Sequence, residues 1–154
     1  MALLPQLNGR SPQTLATEPG AGAAGGLGLT CRWLGGTRVP GAEFFLDLLG
    51  FDEILTTCDV VITGEGSIDS QTLNGKLPAV VAHRSSPRPV HAVVGVSSLK
   101  DTDQADLGLS SLHSLSEMTD LDTQTDTALS LTLAVLIGRR IGRQLQASSV
   151  TTSR

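Results

Sequence analysis

Thirteen residues in the middle of the chain, Gly64 to Lys76, hold most of the side chains that could do chemistry. Two carboxylates (Glu65, Asp69), two hydroxyls (Ser67, Thr72) and one ammonium (Lys76) fall within them, interspersed with Gly64, Gly66 and Gly75. Glycine lets a backbone come close to a ligand and turn its N–H groups toward an anion. Carboxylates beside a lysine and free amides suit a metal-bound polyphosphate. The carboxylates hold Mg2+ directly or through water, while the lysine and amides balance phosphate oxygens. The same residues would also serve as an ordinary polar turn, its carboxylates capping a helix and its lysine in water.

Other candidates carry less chemistry. Pro19 to Gly28 holds five glycines in ten positions, but it is neither a Walker A loop nor a GxGxxG after a strand. Small residues there suit close helix packing, with phosphate binding at a helix N-terminus as the alternative. His83, His91 and His113 lack metal-ligand spacing with a third ligand, so no zinc site is expected. Cys58, just before a strand, reads as a small buried hydrophobe. Ser97 and Ser98 end a second strand and could face the same cleft as Glu65.

Such a cluster needs strands and helices to hold it. Asp59 to Thr63 is a short β-branched run that stops at Gly64, so residues 64–69 read as the turn beyond a strand. In open parallel sheets ligands bind beyond the carboxyl ends of strands, which is where this turn would lie. Pro78 suits the first turn of a helix through Ala82, and Pro87 and Pro89 stop it. Val90 to Val96 is a second strand. Neither run alternates, as expected for strands covered on both faces. Gly41 to Leu49 forms an amphipathic helix closed by Gly50, and Asp52 to Thr56 a further helical turn. Leu99 to Leu112 reads as irregular. Asp126 to Leu145 is the clearest helix, with Leu129, Leu133, Leu136, Ile137 and Ile141 on one side. Residues 1–18 read as a loose lead-in, and 148–154 as a frayed tail. Two buried strands cannot make a covered sheet, so the chain reads as a piece of a larger fold.

Composition narrows the classes. The 154 residues carry 11 Lys+Arg against 15 Asp+Glu, a formal charge of −4, and 3% aromatics. A basic, stacking nucleic-acid surface does not fit that balance. No apolar run nears the roughly 18–20 residues needed to span a bilayer. Two cysteines, Cys31 and Cys58, are too few for a disulfide scaffold, and no secretory leader is evident. A cytoplasmic protein with reduced thiols is expected.

Four segments in register resemble the type I glycerate kinase family: the glycine-rich stretch 19–28, Gly50-Phe51-Asp52-Glu53, Cys58 through Asp69, and Gly75-Lys76-Leu77-Pro78. The resemblance covers most of this chain and the C-terminal part, under half, of a usual family member. It implies ATP-dependent phosphorylation of D-glycerate to phosphoglycerate with Mg2+. It also implies a two-domain α/β protein in which a Rossmann-like domain is interrupted by a second domain. By that likeness residues 19–57 are a remnant of the inserted α/β domain. Residues 58–147 are then the returning part of a Rossmann-like parallel sheet with flanking helices. Carried over position by position, Glu65 and Asp69 bind Mg2+ or orient the glycerate hydroxyl, and Lys76 offsets charge on the transferred phosphoryl group. Gly64, Gly66, Ser67, Thr72 and Gly75 shape or line the substrate and nucleotide site. Three segments depart from the family pattern: Thr37-Arg38-Val39, Ser85-Ser86-Pro87 and Gly95-Val96-Ser97.

Partners expected on this reading are ATP and D-glycerate, with neither nucleic acid nor membrane. Association through the surface left by an absent N-terminal part is a further expectation. The alternative readings are a non-catalytic truncated product, or an anion-binding module that retains part of the fold.

Overall fold

The computed structural model describes residues 9, 11–70, 72, 75–99, 104 and 106–152. Contacts divide the chain into two compact units, Met1–Phe44 and Phe45–Arg154. Most of the lead-in, residues 1–8 and 10, lies outside the described residues, as do 153 and 154 of the tail.

In the N-terminal unit, helix α1 (Pro12–Ala16) replaces the loose segment expected there. The Ser11 hydroxyl accepts from the Thr14 N–H, Pro12 opens the first turn, and Leu15 is fully buried. Helix α2 (Ala23–Trp33) begins irregularly, because Ala24, Gly25 and Gly26 have positive φ. Close packing of small residues is present at one point: a Cβ on Gly28 would overlap the Gly20 carbonyl. No α2 residue is buried, so this unit holds little core of its own.

Helix α3 (Gly41–Leu48) runs from one unit into the other, and α4 (Phe51–Leu55) follows Gly50, whose left-handed φ of 66° turns the chain. The C-terminal unit then alternates strand and helix: β1 (Val61–Ile68), α5 (Leu77–Ser85), β2 (Val90–Ser97), β3 (Ser111–Ser114) and α6 (Thr127–Thr152). The strands form one parallel sheet in the order β1-β2-β3. The fold is therefore α/β, a partial parallel sheet flanked by helices. Leu46, Val81, Ala82 and Val90 form one buried cluster, and Ile68, Val94 and Leu107 a second. Leu133, Ile137 and Ile141 recur every four residues and are buried along α6, as the apolar period requires. Each such side chain contributes about 1.5–3 kcal/mol by leaving water.

Three elements differ from the sequence reading. Strand β1 continues five residues past Thr63, through the segment read as a turn. Its glycines bring two backbones together: a Cβ on Gly64 would lie 2.8 Å from the Val93 carbonyl oxygen, and one on Gly95 2.5 Å from that of Gly66. Glycine inside a strand marks such an approach as readily as it marks a stop. Second, the segment read as irregular ends in β3, too short and too polar to show as a strand by pattern. Third, α6 runs on to Thr152, into the expected tail.

Candidate functional site

Helix α5 and the end of β1 hold the charged pair. Thr72, fully buried, closes the intervening turn. Its Oγ1 accepts from the Asp69 N–H at 3.2 Å, and its N–H donates to the Asp69 carbonyl at 2.9 Å. Gly75 takes φ 92°, a conformation that favours glycine, and delivers the chain to Lys76 at the N-cap of α5. Pro78 occupies the first turn as expected. Lys76 Nζ then lies 3.3 Å from Asp69 Oδ1, both side chains about one-third exposed. Gln71, Leu73 and Asn74 of this turn lie outside the described residues.

Glu65 sits earlier on β1. Together with Gly66 and Ser67 it lines a cavity of about 850 Å³, whose lining does not include Asp69 or Lys76. At the ~3.3 Å rise of a strand, four residues separate the two carboxylates' Cα atoms by about 13 Å. Glu65 Oε2 is buried and has no hydrogen-bond partner among the described residues. The structure thus brings Asp69, Thr72, Gly75 and Lys76 together at the strand tip, and Glu65, Gly66 and Ser67 at the cavity. Gly64 packs against β2 instead. Among the described residues no three His, Cys, Asp or Glu groups converge to hold a metal. Mg2+ commonly takes one or two carboxylates and completes its shell with water and substrate phosphates, so the donor set here fits that use.

The rest of the cavity comes from residues the sequence did not mark as site residues, on the second strand, the final helix and the segment before that helix. Val93 to Val96 of β2 form one wall, Leu115 another, and Thr123, Gln124, Ser130 and Ala134 close it from the β3–α6 connection and the first turns of α6. That connection is built to hold. The Asp122 carboxylate accepts from the Thr125 hydroxyl at 2.6 Å and the Gln124 N–H at 2.8 Å, and the first of these above all lowers its pKa. Ser130 Oγ donates to the Thr123 carbonyl at 2.6 Å, and Asp126 accepts from the Leu129 N–H at the start of α6. Recognising β3 would have exposed this connection as a loop leaving a strand's carboxyl end, where ligand sites concentrate.

The remaining candidates are engaged locally. Ser97 Oγ accepts from the Leu99 N–H at 3.3 Å, and the Ser98 N–H donates to the Ile68 carbonyl at 3.0 Å. The Ser111 hydroxyl bridges His91 Nδ1 at 2.7 Å and His113 Nε2 at 2.9 Å, a consequence of the His91–Ser111 register. Burial lowers the pKa of both imidazoles, and Arg140 adds to the effect at His113. Cys58 is half-buried, its thiol donating to the Ile54 carbonyl at 3.3 Å.

A model of the glycerate kinase family matches residues 3–142. The chain belongs to the glycerate kinase family. It is 45% identical over 84 residues to a glycerate kinase of Halalkalibacterium halodurans, covering 53% of this chain and 22% of that protein. Identity to the glycerate 2-kinase of Escherichia coli is 38% over 112 residues, covering 71% and 28%. The crystal structure of a protein assigned as glycerate kinase 2 from Salmonella typhimurium LT2 superposes with a TM-score of 0.62 at 31% identity, covering 84% of this chain and 33% of that one. The chain thus spans between a fifth and a third of the length of these relatives. No helix among the described residues is long and apolar enough to cross a membrane.

Proposed function

We propose that this glycerate kinase family chain supplies the phosphoryl-transfer end of a site that moves the terminal phosphoryl group of ATP to D-glycerate. The Lys76–Asp69 pair at 3.3 Å, held at a strand tip by a closed turn, carries the reading. In such reactions the protein mainly positions the reactants and balances charge. Lys76 offsets negative charge gathering on the transferred oxygens, and Asp69 holds the ammonium in place and offers a carboxylate oxygen to Mg2+. Bound there, Mg2+ would neutralise phosphate charge and orient the donor. Thr72 and Gly75 position these two side chains and touch no ligand. Of the two carboxylates expected at the metal, Asp69 takes that role in this reading, because it is the one beside the lysine.

A graft tests this. The matched 112-residue segment of the Escherichia coli protein is replaced by its counterpart here, and ADP release is followed with and without D-glycerate. Glycerate-dependent turnover that falls on Lys76→Ala is the expected result. A folded graft without turnover, or one indifferent to Lys76→Ala, overturns the proposal.

A further inference from the structure

We propose that the cavity beside Glu65 is the subsite for the nucleoside half of the phosphoryl donor, with the Glu65 carboxylate accepting hydrogen bonds from ribose hydroxyls. This rests on the phosphoryl-transfer reading above and goes beyond it by assigning the two ends of the donor to different residues.

Charge makes the first argument. Among the described residues lining the cavity, Glu65 is the one that carries a charge. A phosphate or the carboxylate of glycerate would meet a like charge there with no cation to offset it. A neutral ligand would not. Hydrogen bonding makes the second. A buried carboxylate oxygen without a donor is costly, and among the described residues Glu65 Oε2 has none; a hydroxyl-bearing ligand supplies the missing donor. Shape makes the third. The volume of about 850 Å³ falls within the roughly 300–1,000 Å³ of small-molecule sites and is roomy for a three-carbon acid. Val94, Val96, Leu115 and Ala134 offer apolar walls for a base, while Gln124 and Ser67 supply neutral polar groups. Finally, β1 itself leads from Glu65 to Asp69, so a donor seated here and extended along the strand brings its phosphates toward Lys76.

The test uses the 154-residue chain with adenosine, 2′,3′-dideoxyadenosine, pyrophosphate and D-glycerate as separate probes in calorimetric titrations. Circular dichroism confirms that each variant is folded. Adenosine is expected to bind, at least ten-fold more tightly than the dideoxy compound, and Glu65→Ala should erase that difference. Pyrophosphate binding should fall on Lys76→Ala and not on Glu65→Ala. Ala134→Trp, which fills the cavity while leaving the Glu65 residue itself unchanged, should block adenosine alone. Equal binding of the two nucleosides, no adenosine binding to folded chain, or loss of D-glycerate binding on Glu65→Ala overturns the proposal. If adenosine behaves as expected while the graft shows no turnover, the subsite stands and the kinase reading falls. If the graft turns over and Glu65→Ala leaves its KM for ATP unchanged, the reverse holds.

Discussion

The two ends of the parallel sheet are built on different terms. Toward the carboxyl end lie Asp69, Lys76 and Glu65, charged groups at a strand tip and a cavity, Glu65 with a buried oxygen that has no partner among the described residues. Toward the amino end lie His91 and Ser111, hydrogen-bonded to each other, and Ser111 also meets His113 two residues further along β3, with both imidazoles held toward the neutral form. Nearby helices are tied by Arg84, which meets Asp52 at 2.7 Å and Asp47 at 2.6 Å and lies over the Phe51 ring. Among the described residues each end leaves one buried polar atom without a partner, Glu65 Oε2 at the first and His91 Nε2 at the second. The second, however, pairs its charges with one another and links its imidazoles through Ser111. The proposed function places its ligands at the first end and leaves the second to stability.

The separation is sharpest in turnover. Lys76→Ala in the graft should lower kcat by about 10²–10³, or roughly 3–4 kcal/mol of barrier, as for other single electrostatic donors. Its melting temperature should barely move, since a partly exposed pair contributes little to stability. A large loss of stability instead would make Lys76 a structural residue and break the comparison.

Gly95→Ala should destabilise the sheet by about 1–3 kcal/mol, the usual effect of overpacking, because its Cβ would fall 2.5 Å from the Gly66 carbonyl oxygen. Denaturant unfolding reads this directly. A neutral outcome would mean that β1 and β2 can part at the cavity floor.

Arg84→Ala should cost about 1–2 kcal/mol in the same measurement, through lost bonds to two largely exposed carboxylates and the lost ring contact. In the graft kcat should be unchanged. A change in kcat would show that the amino end reaches the chemistry.

The smallest effect concerns acidity. His91 and His113 have folded-state pKa values below their ordinary 6.5, so between the folded value and about 6.5 the unfolded chain binds more protons. Stability is then full above about pH 6.5 and declines as pH falls below it. His113→Gln should flatten that decline in thermal melts taken across pH 5 to 8, by less than about 1.4 kcal/mol per pH unit. Unaltered acid sensitivity would remove the imidazoles from the account of this end.

Much of this arrangement was legible in the residues. The second strand, the proline-opened helix after Lys76 and the final amphipathic helix all followed from local pattern, because each is decided by periodicity and by residues with strong backbone preferences. The polar group at 64–76 stood out by composition. The extent of β1 did not, since glycine signals a turn and a close strand approach with the same letter. The four residues of β3 carry two serines and a histidine, a composition no local rule assigns to a covered strand.

The spacing of seven residues between Asp69 and Lys76, closed by Thr72 and Gly75, was written in the chain order, and so was membership of the family. Which groups share a hollow was settled only on folding. Glu65, Val94, Leu115, Gln124 and Ala134 meet in one cavity although nearly seventy positions separate the first from the last. Pairing of strands and docking of α6 bring them there, and those depend on contacts between distant segments that no local period encodes.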